Sequence, residues 1–118
     1  MAGEQVGPRT RSDLIRDRFG LVVQVNRDPG TTVVGLTATQ LLNQSPNRLA
    51  LTIINNGTGR IWLFPGNNPS VTHGIVLAAG GGQVSLVWDD DWDVLGFEWW
   101  AIAEVAATPI SIIEVVAR

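Results

Sequence analysis

Four carboxylates fall within five positions, Asp89-Asp90-Asp91-Trp92-Asp93, and form the most prominent polar feature of the chain. Closely spaced carboxylates bind a hard cation such as Ca²⁺ through oxygen ligands, which makes Asp89, Asp91 and Asp93 the candidate metal ligands. The EF-hand spacing fails, because the sixth position from Asp89 is Val94 rather than Gly and the twelfth is Trp100 rather than Glu. Like charges at this density repel one another and favour a solvated or partner-facing loop, so no metal is assigned. Glycoside hydrolysis by a carboxylate pair would need a substrate cleft as well.

The remaining catalytic inventory is sparse. His73 is the single histidine, set between Thr72 and Gly74 at a turn. A Ser-His-Asp arrangement has no nucleophile elbow to support it, and Cys and Tyr are absent. Gly80-Gly81-Gly82 lacks the Lys-Ser/Thr and the following helix of a phosphate loop and reads as a tight turn into the strand at Gln83. These absences argue against catalysis, and no cofactor is expected. The five tryptophans are Trp62, Trp88, Trp92, Trp99 and Trp100. Adjacent residues of a strand point to opposite faces, so of Trp99 and Trp100 one enters the core and the other meets solvent, a ligand or a partner. Tryptophan is enriched at interface hot spots, and Trp62, Trp92 and Trp99 are the candidate interface aromatics. Stacking against a sugar ring is the alternative use.

Short strands must position these residues. Apolar runs at 21–27, 32–37, 49–55, 60–64, 73–78, 83–88, 97–104 and 110–117 are separated by clusters of Gly, Pro, Asn and Asp. That spacing predicts a sandwich or small barrel. Asn56-Gly57 is the strongest hairpin signal, since both residues tolerate positive φ. Residues 36–42 offer a short helical turn in place of the end of the second run. Leu49, Leu51 and Ile53 alternate with Ala50, Thr52 and Ile54, while Val84, Leu86 and Trp88 share a face opposite Ser85. The last run, Ile110 to Val116, is apolar on both faces apart from Ser111 and Glu114, so it is either central between layers or covered by another chain.

The first twenty residues differ in character. Arg9, Arg11, Arg16 and Arg18 stand there against Glu4, Asp13 and Asp17, with Gly3, Gly7 and Pro8 discouraging regular structure. Residues 1–20 are therefore expected to be an extended arm and residues 21–118 a β-sandwich domain. The arm is either a disordered tail or a segment that orders on a neighbouring subunit. In the second case Leu14, Ile15 and Phe19 would fill pockets there, and Arg9, Arg11, Arg16 and Arg18 would pair with acidic groups.

Bulk composition bounds the rest. A chain of 118 residues suits one domain. Charged residues make up only 16%, against a usual quarter, which suits either a surface held against other protein or a plain Thr-, Asn- and Gly-rich sandwich. The net charge is −3, and all eight basic residues are Arg. Between positions 28 and 117 the only ones are Arg48 and Arg60, so the basic stripe of a nucleic-acid binder is missing. No apolar run approaches the roughly 20 residues of a membrane-spanning helix, and no signal peptide is visible.

One resemblance covers about half the chain. Asn47-Arg48-Leu49-Ala50-Leu51-Thr52-Ile53 leads into Asn55-Asn56-Gly57, and Ile61-Trp62-Leu63 precedes Pro65-Gly66. Gly74-Ile75-Val76-Leu77-Ala78-Ala79-Gly80-Gly81 and the closing Trp100-Ala101-Ile102-Ala103 complete the order. Residues 47–103 thus resemble a small β-domain of tailed-bacteriophage virion proteins, the capsid decoration (cement) and head-fibre-like proteins. The Trp99-Trp100 pair and the acidic run depart from the simplest members. The resemblance implies an all-β, jelly-roll-like subunit on the outer capsid surface, with the major capsid protein as its partner and a trimer as its oligomeric form. The expected function is therefore non-enzymatic stabilisation of the shell by bridging capsid subunits. The alternative is a carbohydrate- or receptor-binding module of a phage fibre or tail.

Overall fold

The computed structural model describes residues 22–67, 69, 70, 72, 74–87 and 92–117, the side chains of Trp92 and Asp93 excepted. They form β1 (Val23–Arg27), β2 (Val33–Val34), β3 (Thr39–Leu42), β4 (Arg48–Asn55), β5 (Ile61–Phe64), β6 (Ile75–Leu77), β7 (Gln83–Val87), β8 (Trp99–Ala103) and β9 (Thr108–Ala117). A 3-10 turn, Trp92–Gly96, leads towards β8. Every strand pair is antiparallel.

The strands divide into two sheets, β1-β9-β4-β7 and β3-β8-β5-β6, with the two-residue β2 extending the β1 side of β9. Setting β2 aside, the first strand pairs with the last, the second with the seventh, the third with the sixth and the fourth with the fifth. Pairings β4–β9 and β5–β8 then join those ribbons within each sheet. This is the connectivity of a jelly roll. The fold is an all-β sandwich, as the turn spacing predicts.

Alternation explains which side chains close the sandwich. Leu51 and Ile53 from β4, Ile110 and Ile112 from β9, Ile61 and Leu63 from β5, and Trp99, Ala101 and Ala103 from β8 are all buried in one core. Val84 and Leu86 of β7 pack against it. Each fully buried Leu or Ile contributes about 1.5–3 kcal/mol over its exposed state. The last strand is central in its sheet, and its inner positions are Ile110, Ile112, Glu114 and Val116.

Two local expectations are corrected. Residues 36–42 hold strand β3 rather than a helical turn. Asn56-Gly57 is not a hairpin turn: β4 and β5 lie in different sheets, so this segment crosses the sandwich. Neither residue has positive φ. The Asn55 side chain organises the crossing, donating from Nδ2 to Gly59 O at 2.8 Å and Leu77 O at 3.1 Å, and accepting from Gly57 N–H at 2.9 Å. Gly57 is needed for space, since a Cβ there would stand 2.6 Å from Thr108 Cγ2.

Candidate functional site

Several candidates lie outside the described residues: the arm residues Arg9, Arg11, Leu14, Ile15, Arg16, Arg18 and Phe19, and with them His73, Asp89 and Asp91. Trp92 and Asp93 fall in the 3-10 turn, their side chains likewise outside the description. Among the described residues no group of three His, Cys, Asp or Glu is placed to hold a metal ion. Among them, too, no helix is long and apolar enough to cross a membrane.

The interface aromatics are redistributed. Trp99 is 1% exposed and belongs to the core, so it offers no surface. The reason is parity: Trp99, Ala101 and Ala103 share the inner face of β8, which sends Trp100 outward. Trp62 is on the outer face of its sheet but is only 6% exposed. The Arg60 guanidinium lies 5.2 Å from the Trp62 ring centroid, within cation–π range. Glu104 holds that guanidinium, accepting from Arg60 Nε and Nη2 at 3.2 Å each and from its backbone N–H at 2.7 Å. The Arg60 side-chain hydrogen bond, then the backbone one, holds the Glu104 carboxyl below its ordinary value. In Arg60→Ala we expect an NMR titration to show the Glu104 midpoint rising towards about 4.3, the ordinary glutamate value. A depressed carboxyl stabilises the fold above its unfolded pKa and loses that contribution as pH falls through the folded value. The acid limb of the stability profile should therefore flatten in the variant.

A third feature was not anticipated. Arg48 and Glu114, near the same end of the β4–β9 pairing, form a buried ion pair of 2.8 Å with side chains 2% and 7% exposed. Arg48 also donates from Nη1 to Leu95 O at 3.0 Å and Phe97 O at 3.1 Å, and from Nη2 to Asn43 O at 2.9 Å. Asn26 Nδ2 donates to the other Glu114 oxygen at 3.1 Å. The pair borders a pocket of about 460 Å³ lined also by Pro29, Gly30, Gln40, Asn43 and Gln44. Because its charges are engaged by protein groups, the pair ties the 3-10 turn and the β3–β4 loop to β9 and serves as a structural staple. The Glu114 exception in an apolar strand was the available signal, but its partner lies 66 positions away.

Two outer faces remain. On the first sheet, the register aligns Val25, Val115, Ala50 and Val87 in one row across four strands. The next row is Arg27, Ile113, Thr52 and Ser85, and the third is Ser111, Ile54 and Gln83. Val25 is 63% exposed, Ile113 41% and Val87 38%. Arg27 is the one charged side chain in these rows, and it stands on the edge strand. The face thus carries one fully apolar row beside two rows of mixed polarity, with a single charge. On the second sheet, Gln40, Trp100 and Phe64 form one cross-strand row, and Ile102, Trp62 and Val76 the next. No family model, characterised protein or solved structure matches the chain.

Proposed function

We propose that this chain is a non-enzymatic structural subunit of a virion, a capsid decoration protein that docks on the outer shell and bridges major capsid subunits. The observation that carries this reading is the apolar row Val25-Val115-Ala50-Val87 on the outer face of the β1-β9-β4-β7 sheet. In a monomeric sandwich the outer positions of an antiparallel sheet are normally polar. Here a row of four apolar side chains crosses the whole sheet. A low charge content of 16% and the resemblance over residues 47–103 point the same way.

The size of the face bears on how docking works. Four strands of about five residues give a footprint of roughly 300 Å², well below the ~800 Å² per partner of a standard stable interface. A single face of this size binds weakly. Linked copies gain avidity instead, because each attached copy raises the effective concentration of the next. This supports the homo-oligomer, a trimer in the decoration reading, and leaves room for the arm of residues 1–20 to add contacts on a capsid neighbour. Binding only the assembled shell stabilises that state by mass action.

The test uses heads purified without this chain. Ala50 lies in the middle of the apolar row, and Ala50→Arg places an unpaired charge there. Occupancy of the heads, measured against protein concentration, should fall at least roughly tenfold in affinity, with the melting temperature retained. Unchanged occupancy would remove this face from attachment, and no binding by the unsubstituted protein would end the decoration reading.

A further inference from the structure

The outer face of the second sheet has a different chemistry from that of the first. Glu98, Trp100 and Ile102 alternate on the outward side of β8 and its lead-in, so the parity that buries Trp99 exposes part of Trp100. The Trp100 indole N–H donates to Glu98 Oε1 at 3.0 Å. That bond satisfies the ring's polar edge and fixes its orientation, leaving an apolar plate. Gln40, at the sheet edge where it also borders the Arg48–Glu114 pocket, pairs with Trp100 on β3, and Phe64 pairs with it on β5. Among the described residues, neither the Gln40 amide nor the second Glu98 oxygen is engaged by a hydrogen bond.

We infer that the Gln40–Trp100–Phe64 row, with Glu98 beside it, is a binding site for a neutral glycan. A hexopyranose presents one face of C–H groups, which suits the electron-rich face of an indole. Its hydroxyls both donate and accept. The Gln40 amide offers both partners, and the free Glu98 oxygen accepts a hydroxyl proton. Charge selects among sugars. Glu98 and the net charge of −3 disfavour sialylated or uronic residues, and Arg60, which stacks on Trp62 of the adjacent row, is already paired with Glu104. Area selects the size of the occupant. The row is three strands wide, roughly 10–14 Å, which fits one or two sugar rings. Fixing the plate before the ligand arrives lowers the ordering cost of binding.

The inference rests on the docking proposal in one respect only. If the first sheet lies on the shell, the second sheet faces away from it, and the glycan site meets the surroundings of the particle. The binding chemistry itself does not depend on that orientation.

The full chain is titrated with chitotriose, cellotriose, maltotriose and a sialylated trisaccharide, followed by tryptophan fluorescence and isothermal calorimetry. At least one neutral trisaccharide is expected to bind, with the sialylated one at least tenfold weaker. Trp100→Ala should weaken binding at least tenfold. Since Trp100 is half-buried, Gln40→Ala and Glu98→Gln serve as second variants, each expected to weaken binding several-fold with the melting temperature kept. Ala50→Arg, on the opposite face, should bind glycan as the unsubstituted protein does even where it loses the heads. No neutral trisaccharide bound at millimolar concentration, or full binding retained in both Gln40→Ala and Trp100→Ala, would overturn the site. Preferred binding of the sialylated sugar would overturn the charge selection.

Discussion

Arg48→Ala is expected to destabilise the domain by about 3–5 kcal/mol, the usual effect of removing one partner from a buried ion pair. The magnitude follows from what is left behind. Glu114 keeps only the amide of Asn26, and the carbonyls of Leu95, Phe97 and Asn43 lose their donor in a buried site. A loss of that size is a large share of the 5–15 kcal/mol that holds a typical domain together, and corresponds to a drop in Tm of roughly 10–20 °C. Calorimetry or urea melts measure it directly. The double substitution Arg48→Met with Glu114→Leu should recover the part of the loss that comes from the unpaired Glu114 charge, while the three carbonyls stay without their donor. If Arg48→Ala melts like the unsubstituted protein, the staple has no structural role, and the ion pair must be sought as part of the adjoining pocket's chemistry.

The same pair shows where sequence patterns stop being informative. Strand positions were legible because the short apolar runs that hold Leu51, Ile53, Ile61, Leu63 and Ile112 are bounded by clusters of Gly, Pro, Asn and Asp. Alternation alone does not say which of two adjacent bulky residues turns inward. Trp99 and Trp100 are chemically identical, and the parity is settled by Ala101 and Ala103, which fit the crowded inner face. Nor does local chemistry reveal which sheet a strand joins. Asn56-Gly57 has the composition of a two-residue turn, yet Asn55 is fully buried and uses its amide to route the chain across the sandwich. Pairings such as Arg48 with Glu114 depend on register between strands far apart in sequence, and register is a property of the assembled sheet.

The two outer faces carry the functional reading because they differ in kind. One is a plain aliphatic row with a single charge at its edge, suited to lying on a broad protein surface. The other is an aromatic row with an unengaged amide and one free carboxylate oxygen, suited to a small polyhydroxylated ligand. A jelly roll hosts many functions, so the fold alone decides between none of them. What separates the readings is the side-chain composition of each face, and substitutions on one face leave the other intact.

Asn55→Asp should be the most damaging single-atom-scale change in the described residues. Asn55 is 0% exposed, and its amide nitrogen serves two carbonyls, those of Gly59 and Leu77. A carboxylate in its place has nothing to donate and sets its negative charge against both carbonyl oxygens in a dry site. The Gly57 N–H remains the only donor to it. Burying a charge with so little compensation costs several kcal/mol, on the order of 3–5 at neutral pH. Burial and the two carbonyls both favour the protonated acid, so its folded pKa rises above the unfolded value of about 3.9. The sign of the pH dependence follows. Between those two values the folded state binds more protons than the unfolded, so stability falls as pH rises. The variant should therefore come closest to the unsubstituted protein near pH 3–4 and diverge from it progressively towards neutrality. Paired thermal melts across pH 3.5–7.5 measure that difference, each variant read against the unsubstituted chain at the same pH. A destabilisation that stays constant across the range would show that steric fit rather than charge governs the crossing. No destabilisation at all would mean that the Asn55 amide does not hold β4 and β5 in their separate sheets.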